Sequence, residues 1–278
     1  MRGGAFRGWM VTWLLAAPMV VAAQVLSPEA GLLAWLERMQ QAALQQSYIG
    51  TMVLSDERGV LRSVRIEHAS GLPPELGLRP RTLDPTVRFY RLQLLGQERV
   101  AGWIADRLLL RPVDDWRYGY QVWVERASGL VLKVQTLDAR GNVVEQAAFE
   151  DVRLQPAPAQ RDAGGQAVPS APLADVAQQR RVTVPGFVLL AYHERRLPTS
   201  ATPVQQWVFS DGLASVSVFA QRREVSVRGV GVAGAAPGLV HGATQTVSRR
   251  VGDWSLTAVG EAPAATLAAL LQGIEPRH

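Results

Sequence analysis

The sequence contains no cysteine. Disulfides, thiolate nucleophiles and cysteine metal ligands are therefore excluded. Lysine is almost absent: Lys133 stands alone among 29 basic residues. The others are arginines, which stay charged at any working pH, so arginine usage alone lifts the pI to about 10.2 and the formal charge to +5. That pI is weak ground for a nucleic-acid partner, and none is expected. Histidine is scarce too. His68, His193, His241 and His278 are the full set, and none stands at a metal-ligand spacing such as HxxxH. Each reads as a surface or hydrogen-bonded histidine. There is no GxSxG elbow and no GK[ST] phosphate loop. The glycine-rich run from Gly229 to Gly238 reads as a hairpin tip, since no βαβ unit surrounds it. Asp114 and Asp115 are sequence neighbours at a turn, where adjacent carboxylates point apart into water and form no general acid–base pair. No catalytic residue, metal site or cofactor follows from these residues.

What is present begins at the N-terminus. Arg2 and Arg7 precede an uncharged, mostly apolar stretch from Trp9 to Val21, and Val21-Ala22-Ala23 supplies small residues before Gln24. This reads as a secretory signal peptide over 1–23, cut after Ala23, because the apolar run falls short of the roughly 20 residues a membrane span needs. Loss of Arg2 and Arg7 takes the formal charge from +5 to +3. The mature chain is expected to be exported and soluble.

The mature chain opens with a helix start, Ser27 as N-cap, Pro28 at N1 and Glu29 in the first turn. Leu32, Leu33, Leu36, Met39 and Ala43 then give one apolar face up to Gln45 or Gln46. Strands are expected over Tyr48 to Leu54 and Val60 to His68, joined by the turn Asp56-Glu57-Arg58-Gly59. More are expected over Phe89 to Leu95, Arg99 to Trp103, Arg107 to Arg111 and through Arg117 to Phe149. Short strands and tight turns of this kind make an antiparallel meander. With Arg126 to Leu130 as a connection, Val124 faces Leu132, Val122 faces Val134, and Trp123 faces Lys133 on the other side as a cation–π pair. The four aliphatics then form one face, either filled core or the wall of a pocket for an acyl chain. Residues 155–176, rich in Pro, Ala, Gly and Gln, read as a linker. Beyond it, strands are expected over Val188 to His193, Gln206 to Ser210, Ala214 to Gln221, Gln245 to Arg250 and Trp254 to Val259. A final helix follows Pro263, with Leu267, Leu270, Leu271 and Ile274 on one face. Two α+β domains result, 24–154 and 177–278. The arginine pairs Arg195-Arg196, Arg222-Arg223 and Arg249-Arg250 could meet an acidic partner.

Several of these segments together resemble the RseB/MucB family of periplasmic negative regulators of the sigma-E (AlgU-type) stress response. The first half matches through Tyr48-x-Gly50-Thr51, Arg65-Ile66-x-His68 and Arg99-Val100-Ala101-Gly102. It continues with Arg117-Tyr118-Gly119-Tyr120, Trp123, Gly129-Leu130, Lys133 and Asp138-x-x-Gly141. The second half matches through Pro185-Gly186-Phe187, Arg195-Arg196, the run from Phe209 to Phe219, Thr246-Val247, Trp254 and Gly260-Glu261-x-Pro263. The resemblance implies a curved, antiparallel LolA/LolB-like half-barrel with a helix, followed by a smaller antiparallel α+β domain. It implies binding to the periplasmic region of an RseA/MucA-like anti-sigma factor, which that binding shields from proteolysis, and release by lipid or lipopolysaccharide fragments. Arg195, Arg196 and Asp211 are the expected partner contacts. Asp211-Gly212 also reads as a plain turn, glycine allowing positive φ. Val122, Val124, Leu132 and Val134 are the expected apolar face. The family carries a block of strands between the segments that here hold His68 and Leu94, so the half-barrel is expected to be shortened and open at that point. The second reading is a soluble lipid or lipoprotein carrier of the LolA type. A LolB-type lipoprotein is excluded because it needs a lipobox cysteine.

Overall fold

The computed structural model describes residues 28–70, 88–155, 184–195, 203–222 and 242–276. The expected signal peptide, the linker and the glycine-rich run at Gly229 to Gly238 lie outside the described residues. So do His241, His278 and Arg196.

Helix α1, Pro28–Gln45, buries Leu32, Leu36, Met39 and Ala42. The stripe thus ends on Ala42 rather than Ala43, whose carbonyl instead accepts a hydrogen bond from His68 Nε2 at 3.0 Å. Seven strands follow: β1 Ser47–Asp56, β2 Gly59–His68, β3 Tyr90–Val100, β4 Trp103–Pro112, β5 Gly119–Glu125, β6 Val131–Leu137 and β7 Val143–Gln155. They form one sheet in the order β2-β1-β7-β6-β5-β4-β3, every pair antiparallel. This is not a plain meander. β7 returns to pair with β1, and the chain passes from β2 at one edge to β3 at the other.

The sheet curls around α1. The helix packs on β3 and touches the end of β2 through His68. Arg38 of α1 reaches the Arg126 carbonyl at the β5–β6 connection. The β3–β4 hairpin tip closes the interior, where Trp103 Nε1 donates to the Val152 carbonyl on β7 at 3.2 Å. The sheet itself stays open, with β2 and β3 as free edges. These edges carry exposed apolar side chains, Val60 and Leu61 on β2 and Leu94 on β3.

Two expectations need correction. Arg99 to Trp103 is not a strand of its own. β3 and β4 run long on either side of a two-residue turn in which Ala101 has φ 48° and Gly102 φ 84°. Two positive φ values make the primed turn that matches strand twist. Alanine is a poor occupant of the first position because its Cβ crowds the carbonyl in left-handed backbone. Ala101→Asn, which gives the Asn-Gly pair this turn favours, should raise stability by about 0.5–1 kcal/mol in urea unfolding. Second, Val122 does face Val134 and Trp123 does face Lys133, but Val124 sits opposite Val131 across a register shift. The bulge absorbs one residue and leaves Leu132 inward, fully buried. The expected cation–π pair is present, with Lys133 Nζ 4.3 Å from the Trp123 ring centroid.

The second sheet holds β8 Val188–Arg195, β9 Val204–Ser210, β10 Ser215–Arg222, β11 Gln245–Val251 and β12 Trp254–Gly260, in the order β11-β12-β10-β9-β8. Helix α2, Ala264–Gln272, covers one face. Leu267, Leu270, Leu271 and Ile274 pack there on Trp207, Val216, Val218, Leu256 and Ala258.

Candidate functional site

The two sheets meet around a buried ion pair. Arg117 enters from the segment before β5, and Asp211 from the β9–β10 turn. The Nη1 of Arg117 lies 3.2 Å from Oδ2 of Asp211, and both side chains have no exposure. Arg117 makes three further hydrogen bonds. Nε donates to Asp114 Oδ1 at 2.9 Å, and Nη2 donates to Asp114 Oδ2 at 3.1 Å and to the Pro185 carbonyl at 2.7 Å. Asp114 is therefore not the solvated neighbour of Asp115 that a turn suggested. The guanidinium lies over the Phe89 ring at 4.3 Å, with Phe187 at 5.5 Å and Tyr90 at 5.9 Å. A planar, weakly hydrated cation with five donors suits such a site, and lysine does not.

Asp211 is as fully bound. Its Oδ1 accepts the backbone N–H groups of Leu213 at 3.0 Å and Ala214 at 2.8 Å, and its Oδ2 also accepts the Tyr90 hydroxyl at 2.9 Å. Asp211 does form the turn its sequence suggested, but it is no surface contact, because the tip of the hairpin is packed against the first sheet. Gly186 completes the joint. It has φ +80°, and a Cβ there would come within 2.5 Å of Phe89 and 3.1 Å of Arg117. Pro185-Gly186-Phe187 thus offers Arg117 a carbonyl, a close approach and a ring.

Further contacts interlock the two cores. Trp116 packs into the core of the second sheet, and its carbonyl accepts the Thr266 hydroxyl at 2.6 Å on α2. Leu213 and Ala243 belong to the core of the first sheet. The Ala243 N–H donates to Glu145 Oε2 at 2.8 Å. A cavity of about 40 Å³ remains at the joint, lined by Tyr120, Val134 and Glu145 from one side and Leu213 and Glu261 from the other. It is of the size that holds a water molecule or two, not an acyl chain.

Burial pushes the Asp211 carboxyl up from its ordinary value, against the opposing pull of Arg117 and the two N–H groups. Burial, reinforced by the charge of Asp211, pushes the Tyr90 and Tyr120 phenols well above theirs. A phenol whose folded pKa exceeds its unfolded value binds more protons in the folded state, so stability falls as pH rises through about 10. Of the five tyrosines, Tyr90 and Tyr120 should therefore withhold their tyrosinate absorbance near 295 nm until the protein unfolds in alkali.

Among the expected apolar face, Val122, Val124 and Leu132 are fully buried and Val134 nearly so, packed in one cluster with Leu32, Leu36 and Met39. Arg195 ends β8 and is exposed. His68 is buried, stacked on Tyr48 at 4.6 Å. Among the described residues no cluster of three or more His, Cys, Asp or Glu could hold a metal, and no helix is long and apolar enough to cross a membrane. The arrangement at the joint is an anchor: four hydrogen bonds tie the fully buried Arg117 side chain to groups of both sheets' segments.

Comparison with known proteins agrees with the two-sheet order. The sequence model of the MucB/RseB N-terminal domain matches residues 74–172, and that of the MucB/RseB C-terminal domain matches 175–275. The sigma factor AlgU regulatory protein MucB of Pseudomonas aeruginosa is 31% identical over 290 residues, covering 87% of this chain and 90% of that protein. The sigma-E factor regulatory protein RseB of Escherichia coli K12 is 27% identical over 197 residues, covering 67% and 59%. The structure of the Pseudomonas aeruginosa MucA/MucB complex superposes with a TM-score of 0.63 at 26% identity, covering 89% of this chain and 99% of that one. MucB in complex with MucA(peri) gives 0.62, and MucB alone 0.58. With both domain models matched in order and a relative aligned along most of both lengths, this chain belongs to the MucB/RseB family.

Proposed function

We propose that this chain is a periplasmic, non-catalytic regulator that binds the periplasmic region of a transmembrane anti-sigma factor and shields it from proteolysis. The likeness to MucB over both sheets, in a structure where MucB is bound to MucA(peri), carries this reading. The joint supports it. Arg117, Asp211 and the Pro185-Gly186-Phe187 segment fix the two sheets into one body, as a protein that presents a composite surface requires. The regulatory role of the MucB and RseB relatives supports a periplasmic site, and the signal peptide expected over 1–23 fits it. The four inward aliphatics are buried in one cluster of the first sheet.

A pull-down of the mature chain, residues 24–278, with the periplasmic region of the anti-sigma factor from the same organism tests the proposal. Retention is expected with the dissociation constant at or below the order of micromolar. No binding at about tens of micromolar sinks it.

A further inference from the structure

Among the described residues, the second sheet has one face without a helix. Strands β8, β10 and β11 run in one direction and β9 and β12 in the other, as the antiparallel pairings dictate. Arg195, Arg222 and the Arg249-Arg250 pair, at or next to the ends of β8, β10 and β11, therefore collect at one end of this sheet. It is the end away from the joint, because Asp211, Leu213, Ala243 and Thr266 all lie at the opposite end.

Pairing sorts these arginines by face. Arg249 faces Leu256, and Arg222, at the end of β10, faces Trp254, so both fall on the side covered by α2. Arg250 faces Ser255, and Arg195 faces Val204, on the open side. The last row of the open face thus runs Arg195, Val204, Gln221, Ser255, Arg250 across the five strands. One exposed arginine stands at each edge. Four strand spacings of about 4.8 Å separate them by about 19 Å. Behind this row His193, Gln206, Phe219, Thr257 and Ser248 form the next, polar around the half-buried Phe219 ring. Among the described residues no carboxylate lies on this face. Glu194 points to the α2 side beside Gln205, and Asp253 in the β11–β12 turn lies 3.9 Å from Arg222.

Two guanidiniums bracketing a half-exposed sheet face without carboxylates have a definite complement. We propose that the open face of the second sheet docks a segment of the anti-sigma partner that is uncharged in the middle and carries a carboxylate towards each end, one for Arg195 and one for Arg250. About six residues of extended chain span that distance. The guanidinium fork suits carboxylate by paired hydrogen bonds. Because the face continues directly into the basic row, a peptide fits better than an anionic membrane surface, which would need only the row. This inference rests on the regulator reading above and names the surface it uses.

The test is the double reversal Arg195→Glu/Arg250→Glu in the mature chain, with both sites exposed and folding followed by circular dichroism. Titration calorimetry against the anti-sigma periplasmic region should show at least about tenfold weaker binding at low salt, shrinking to about threefold or less near 0.5 M salt, as rim charges act. An Arg195→Lys/Arg250→Lys variant should retain most of the affinity. A double reversal within about threefold of the parent at low salt overturns the docking face while the regulator reading stands. Loss of binding only to phosphatidylglycerol vesicles, with partner affinity intact, also overturns it by assigning the arginines to a membrane. If the parent chain itself fails to bind, the regulator reading falls and takes this face with it.

Discussion

Arg117→Met should destabilise the protein by about 3–5 kcal/mol, the usual cost of removing one member of a buried ion pair. The loss falls on several groups at once. Asp211 is left buried without its guanidinium, Asp114 keeps only the Trp116 N–H of its three bonds, and the Pro185 carbonyl loses its donor. Methionine restores contact with Phe89 and Phe187 but no charge. Because these groups span the joint, the urea transition of the variant should also split in two, one step for each sheet, where the parent unfolds in one. A second variant separates the pair from the packing. Asp211→Asn keeps an acceptor for the Leu213 and Ala214 N–H groups and removes the charge. The Arg117→Met/Asp211→Asn double variant should then recover about 1–2 kcal/mol relative to Arg117→Met, since no uncompensated carboxylate remains. A loss under about 1 kcal/mol for Arg117→Met would mean the joint is held by packing alone.

The joint explains what could and could not be read from the residues. Both of its charged members were visible, Arg117 in an Arg-Tyr-Gly-Tyr segment and Asp211 in an Asp-Gly turn. Their pairing was not, because they stand 94 residues apart and no periodicity relates them. Asp-Gly between two strands signals a hairpin tip, and such tips ordinarily face water. Here the first sheet packs on the tip, which turned the expected surface contact into a buried anchor. Periodicity did reach most strands and both helices, since half-buried strands and amphipathic helices write their burial into the spacing. It failed at Arg99 to Trp103: residues 96–98, left between two expected strands, lie within one long strand whose register shifts between Leu94 and Gly96. The shared end of Arg195, Arg222 and Arg250 was in principle legible: alternate strands of an antiparallel sheet point the same way. What decided it was the position of β11 beside β12 rather than beside β10, which only the fold supplies.

The inward face of the first sheet sets up the other large effect. Val124→Asp should unfold that sheet, because it replaces a fully buried side chain with a carboxyl in the cluster of Leu32, Leu36 and Met39. About 1.5–3 kcal/mol of apolar burial is lost, and an unpaired polar group adds several more. The position is worse than an average core site. Across β4, Val124 faces Asp106, itself 8% exposed and bound to Gln97 Nε2 at 3.0 Å. Like charges directly opposite on one sheet face repel, so the new carboxyl must take up a proton or break the pairing. The sum reaches the whole stability of an ordinary domain, about 5–15 kcal/mol. Val124→Ala should cost only about 2 kcal/mol, the transfer and cavity terms without the charge. Val60→Asp, at a site 71% exposed on the edge strand β2, should stay within about 0.5 kcal/mol. Soluble yield and urea midpoints of the three variants check the ranking. The same comparison decides between core and carrier: a wall of a wet or lipid-filled pocket would tolerate Val124→Asp with a loss of about 1 kcal/mol or less, and filled core would not.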